Sequence, residues 1–306
     1  MTSQALVWER DGADWPHRAR SQHVAAAGLN WHVQCWPCEA TALPGHPTPT
    51  VLLIHGTGAA THSWRGLAPL LARRAQVLAF DLPGHGFTST PSAHWHSLQF
   101  SLPGMAAAVA ELLQALAFRP SLLVGHSAGA AIAVQLCLDG HAQPDAVVGL
   151  NAALLPMGGL AGPLFAPAAR LMAASSRVPR WFAQNAEKPQ VLQRLIDGTG
   201  STLDATGMSL YGRLVRNPVH AAGALAMMAH WDLYTLARAL PRLQTPLQLV
   251  VGERDTTVRP EQAQRVWARL AATTRRPVLR LPGLGHLAHE EDPQRLAEIV
   301  GAWLPV

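Results

Sequence analysis

Residues 122–134 read LLVGHSAGAAIAV, and the fold turns on how that stretch is divided. The apolar run ending at His126 has the length of a buried strand, whereas the small apolar residues from Ala128 onward have helical character. Only Ser127 remains for the reversal between them. Glycines at 125 and 129 remove the Cβ atoms that would collide in so tight a turn. Such an elbow pushes the Ser127 hydroxyl out at the carboxyl edge of a sheet and aims the first N–H groups of the helix at whatever that hydroxyl attacks. A Gly-x-Ser-x-Gly turn without chemistry has the same local sequence, so the remainder of the chain must supply a base.

Outward from this point, short apolar runs alternate with longer Ala/Leu/Arg segments. Residues 22–36 predict a hairpin with Gly28 near its turn, followed by a Pro-rich loop over 37–50. Strands are expected at 51–55, 76–81, 122–126 and 146–151, and helices at 64–74, 103–118 and 128–138. This alternation favours a mostly parallel eight-stranded sheet covered by helices on both faces. The rhythm stops over residues 155–232, where helical pieces are broken by Gly and Pro, and resumes with strands near 247–255 and 277–286 and helices at 260–271 and 293–303. Residues 1–154 and 233–306 are therefore expected to form one α/β core domain, with 155–232 inserted as a helical cap.

A serine of ordinary pKa needs a base, and that base needs a carboxylate to hold its tautomer. Gly252-Glu-Arg-Asp255 follows the run LQLVV, and Gly285-His286 follows the next strand-like run. Three strand ends thus bring Ser127, Asp255 and His286, in that order, to one sheet edge. The spacing from the strand favours Asp255 over Glu253. His289, three residues past His286, is expected to be structural or exposed. His55-Gly56-Thr57-Gly58 follows the strand VLLI, where the N–H of Thr57 can face that of Ala128 across a substrate oxyanion.

Composition excludes several other classes. Of 306 residues, 49% are hydrophobic and 14% charged, which fits a folded globule. The net charge of +5 comes from scattered arginines with no aromatic-interleaved basic stripe, against nucleic-acid binding. No apolar run has the length of a membrane span or secretory core, so a soluble, cytoplasmic protein is expected. Cys35-Trp-Pro-Cys38 lacks both a second pair for zinc and a helix to open, and reads as incidental thiols. His94 and His96 lack the carboxylate and spacing of a metal helix. Lys188 is the single lysine, which leaves Schiff-base chemistry almost without a candidate. No cofactor or metal is called for.

The motifs HGTGAATHSW, DLPGHGFT, GHSAG, GERD and GLGH together resemble the α/β-hydrolase superfamily across nearly the whole chain. In that superfamily the DLPGHG segment is mainly structural, which keeps Asp81 and Gly84 off the catalytic roster, and the place of the insertion is that of a cap that selects substrates. Haloalkane dehalogenases and epoxide hydrolases of the fold carry aspartate at the elbow, so Ser127 points to acyl transfer, with ester hydrolysis foremost and C–C hydrolysis or perhydrolysis open. The N-terminal third also resembles the magnesium-chelatase accessory proteins of bacteriochlorophyll biosynthesis. That likeness implies a tetrapyrrole as an alternative ligand to a small hydrophobic ester, and magnesium chelatase as a partner. Large or adaptable apolar side chains suit either ligand, and Trp64, Met157, Trp181, Met228 and Trp231 are expected to touch it.

Overall fold

The computed structural model describes residues 5–40, 47–91, 97–156, 177–186 and 188–305. Eight strands form one sheet in the order β1-β2-β4-β3-β5-β6-β7-β8. Strands β1 (Ser21–Ala26) and β2 (Leu29–Trp36) make the expected hairpin, and its two-residue turn has positive φ at both Ala27 and Gly28. This is the twist-compatible geometry for so short a connection. β2 also pairs antiparallel with β4 (Gln76–Phe80). From there the sheet is parallel through β3 (Thr50–Ile54), β5 (Leu122–His126), β6 (Ala146–Leu150), β7 (Leu247–Gly252) and β8 (Leu279–Leu281).

Both sheet faces are covered, which is why the central strands read as unbroken apolar runs. In β3, Leu52 and Ile54 join the larger apolar cluster with α3 (Leu102–Ala115) and α4 (Ala128–Leu138). Val51 and Leu53 point the other way, toward Leu67 and Leu71 of α2 (Leu67–Ala72) and Leu296 and Val300 of α12 (Pro293–Gly301). All five residues of β5 are buried. Truncating any of these leucines to alanine would cost about 2–5 kcal/mol.

Local chemistry trims several expected elements. The helix expected over 64–74 is a 3₁₀ turn at Thr61–Trp64 followed by α2, the two being separated at Gly66, where a Cβ would come within 2.9 Å of Pro293. β8 is only three residues long because Pro277 and Pro282 withhold ladder donors on either side. Between β6 and β7 lie helices α5 (Arg177–Asn185), α6 (Pro189–Asp197), α7 (Ala205–Val215), α8 (Pro218–His230) and α9 (Leu233–Ala239). Their starts are set locally: Asp204, Asn217 and Asp232 each accept first-turn N–H groups, and Pro opens α6 and α8. Two further helices, α10 (Glu261–Trp267) and the short α11 (Ala288–Glu291), flank β8 in sequence and precede α12. Among the described residues, no helix is long and apolar enough to cross a membrane.

Candidate active site

Ser127 sits at the elbow between β5 and α4 with φ 50° and ψ −116°, a conformation costly for a residue with a side chain. The elbow is wired on both sides: Ser127 N–H donates to Leu150 O at 2.9 Å, and Ala153 N–H donates to Ser127 O at 3.0 Å. A Cβ at Gly129 would run into the carbonyls of Ile54 and His55, so α4 can seat against the end of β3 only with glycine there. Ser127 is half-buried, whereas His126 and Ala128 on either side are buried.

The exits of β7 and the β8 loop meet beside it. His286 Nδ1–H donates to Asp255 Oδ2 at 2.7 Å, which leaves Nε2 as the ring's lone-pair nitrogen. Asp255 is fully desolvated at its side chain, and its oxygens are saturated. Oδ1 accepts the N–H groups of Thr257 and Val258, both at 2.8 Å, while Oδ2 also accepts Asn151 Nδ2–H at 2.8 Å. Asn151, at the exit of β6 with φ 47°, donates as well to Gly285 O at 3.3 Å. It is a site residue the sequence reading missed, although its place at a strand end was the available signal.

The His286 loop is fixed to the elbow and to the segment between β6 and β7. His126 Nε2–H donates to His286 O at 2.9 Å, and the two imidazoles lie with centroids 4.8 Å apart. Thr199 O accepts His286 N–H at 3.1 Å, and Ser201 Oγ accepts Leu287 N–H at 2.8 Å. The turn after α6 therefore belongs to the wall of the site, a contact no local pattern announces.

On the other side of the elbow stands the loop after β3. A Cβ on Gly56 would lie 3.0 Å from Ser127 Cβ, so the 56–57 peptide lies directly against the serine. Its carbonyl accepts both His55 Nδ1–H at 2.7 Å and Ala59 N–H at 3.2 Å, which turns its own N–H, that of Thr57, in the opposite direction. His55 is held in this tautomer because its Nε2 accepts Leu82 N–H at 2.9 Å. Thr57 Oγ1–H donates to Met227 Sδ at 3.4 Å. The N–H of Ala128 opens α4 one residue beyond Ser127.

The expected substrate contacts fare unevenly. Trp64 is fully buried, its indole 4.6 Å from the His289 ring in the core beneath α2, so it is a packing residue and not a ligand contact. The 3₁₀ turn that carries it directs the side chain inward. Met228 packs on Ala229, and the methionine that meets the loop is Met227, one residue and about 100° around the helix away. Trp181 on α5 is 64% exposed, and Trp231 is half-buried against the main core. Met157, like His94 and His96, lies outside the described residues. Glu253 is exposed, in contrast to Asp255. His289 takes the structural of its two expected roles, buried where α11 lays it between Trp64 and His126. Asp81 accepts Thr61 N–H, Phe87 N–H and His32 Nδ1–H at 2.7–2.9 Å, a turn-bracing role.

Electrostatics around the site favour neutral rings. Burial lowers the pKa of His62, His85 and His126 well below the ordinary value, that of His220 to about 4 and that of His289 to about 3. Glu290 of α11 is raised to about 7 by burial, which outweighs its pairing with Arg65 and the hydrogen bond from Tyr211 OH at 2.8 Å. Among the described residues no group of His, Cys, Asp or Glu could hold a metal ion.

A parallel sheet with a serine elbow, and an aspartate and histidine on later strand exits, defines the class. The alpha/beta hydrolase family model matches residues 51–299, and the chain belongs to that family. Over 294 residues it is 37% identical to the magnesium-chelatase 30 kDa subunit of Rhodobacter capsulatus, covering 95% of this chain and 97% of that protein. Among solved structures, the epoxide hydrolase CorEH superposes with a TM-score of 0.73 at 19% identity, covering 92% of this chain and 97% of that one. A thermophilic esterase from Thermogutta terrifontis does so at 0.70 and 19%, with the same coverage. At such identities these two share the fold.

Proposed function

We propose that this protein is a serine hydrolase of the carboxylesterase type that acts on a hydrophobic ester through Ser127, His286 and Asp255. The observation that carries the reading is the 2.7 Å bond from His286 Nδ1–H to Asp255, since it leaves Nε2 free to serve as the base on a loop bonded to the elbow's own His126. In this reading His286 takes the serine proton as Oγ attacks the ester carbonyl. The N–H groups of Thr57 and Ala128 stabilise the oxyanion, and the imidazolium protonates the departing alcohol. Water activated by the same ring then releases the acid. Residues 155–232 act as the cap, with Trp181 among the apolar groups facing substrate.

Turnover of p-nitrophenyl esters of graded acyl length tests this. Wild-type protein should hydrolyse the apolar members, and Ser127→Ala should reduce kcat by a factor on the order of 10⁴ or more. An inert wild type across the whole panel would sink the proposal.

The near full-length likeness to a magnesium-chelatase subunit supports a second reading, in which the protein binds a tetrapyrrole in the cytoplasm and assists a chelatase of bacteriochlorophyll biosynthesis. It predicts a porphyrin absorbance shift on titration that Ser127→Ala leaves intact. A spectrum unchanged by added protein would remove it.

A further inference from the structure

We propose that His220, on the helix α8 of the insertion, is the positioning residue that holds the oxyanion loop in shape, so that the cap is built into the catalytic machinery. The inference rests on the reading of Thr57 as an oxyanion donor. Residues 220, 223 and 227 are spaced three and four apart and therefore share one face of α8. Each makes a different contact with the core. His220 Nδ1 accepts Gly86 N–H at 3.0 Å, which fixes the ring's tautomer, and its Nε2–H then donates to Gly58 O at 3.1 Å. Gly223 packs so closely on Gly84 that a Cβ there would collide with the Gly84 carbonyl. Met227 Sδ accepts the Thr57 hydroxyl at 3.4 Å.

One helix face thus grips two turns at once, 57–58 and 84–86. Each turn has a bond of its own, Ala59 N–H to Gly56 O at 3.2 Å across 57–58 and Phe87 N–H to Asp81 Oδ2 at 2.9 Å beside 84–86, but neither of these bonds holds the Gly58 carbonyl or the Gly86 N–H. Gly58 and Gly86 have φ of 76° and 50°, and glycine leaves this region at little cost, so an outside partner must hold them. The imidazole is that partner for both. It is only 3% exposed, and burial keeps it neutral, the single state in which it can accept from Gly86 and donate to Gly58 together. The His55 bond to Gly56 O sets the peptide that carries the Thr57 N–H, and the His220 bond to Gly58 O fixes the chain just beyond it. Motion of α8 away from the core would therefore carry the oxyanion donor with it.

The test compares His220→Leu, which removes both bonds, with His220→Gln, whose amide can accept from one glycine and donate to the other. Hydrogen–deuterium exchange should rise in peptides spanning 55–60 and 82–88 in the leucine variant and return toward wild type in the glutamine variant. With an ester that the wild type hydrolyses, kcat should fall roughly 10- to 100-fold in His220→Leu at nearly unchanged KM, with partial rescue by glutamine. Unaltered exchange at 55–60, or a loosened loop with full kcat, would overturn the proposal. Should the leucine variant fail to fold, imidazole ¹⁵N shifts of the wild type decide: a proton on Nδ1 of His220 overturns it, and one on Nε2 supports it. A wild type inert on esters would defeat the hydrolase reading, while the exchange and tautomer measurements still decide whether the clamp exists.

Discussion

Mild acid should unfold this protein through its buried histidines. In an unfolded chain each imidazole takes up a proton near pH 6.5. In the native state His62, His85, His126, His220 and His289 resist protonation because burial penalises the charged ring. Their folded pKa values are depressed, so the native state loses nothing above pH 6.5 and loses stability as the pH falls below it, when only the unfolded chain binds the protons. At pH 5.5 that amounts to somewhat more than about 1 kcal/mol per ring, or about 7 kcal/mol for the five. Glu290 works in the opposite sense: its carboxyl, raised to about 7, takes its proton in the folded state first. That returns about 2 kcal/mol at pH 5.5. The net loss of about 5 kcal/mol equals the whole stability of a marginal domain. Urea unfolding followed by tryptophan fluorescence at pH 8, 7, 6 and 5.5 measures it. With a slope of about 3 kcal/mol per molar urea, the midpoint should fall by roughly 1.7 M across that range. His289→Leu should flatten the dependence by one ring's share. A midpoint that stays within about 0.3 M from pH 8 to 5.5 would refute the argument that these rings fold neutral.

Other perturbations act on the site itself. Asp255→Asn keeps the shape but cannot hold the His286 tautomer, and should lower kcat by a factor on the order of 10⁴ in ester assays, whereas Glu253→Gln should leave kcat within about twofold. Equal losses in the two variants would contradict the assignment of the carboxylate. Gly129→Val must drive α4 off the Ile54 and His55 carbonyls, and should cost about 3 kcal/mol or more, read as a fall of several degrees or more in Tm. An unshifted Tm would mean that the helix is not seated as described.

The parts legible in the sequence are those in which short segments carry their own instructions. The Ala27-Gly28 turn, the two-faced strands and the Ser127 elbow each depend on neighbours within a few residues, and each matched its expected place within a residue or two. Asp255 and His286 were legible because strand exits of a parallel sheet share one edge. Asn151 occupies a third such exit, yet an amide at that place suggests no chemistry until Asp255 is seen to accept from it. His220 lay beyond reach: its partner Gly58 is 162 residues away in the chain, and nothing in PVHAAG distinguishes a clamp from an ordinary helical histidine. Trp64 misled because a large apolar side chain suits a pocket and a core alike, and the 3₁₀ turn that carries it places it in the core.

The hydrolase account requires a hydroxyl at 127 that is both exposed to reagent and activated by its neighbour. Treatment with a fluorophosphonate, followed by peptide mass spectrometry, interrogates that directly. One phosphonyl group should be found on the peptide holding Ser127, formed at a rate that drops sharply in His286→Ala. An unmodified elbow peptide in folded wild-type protein, or an adduct on a different serine, would contradict it.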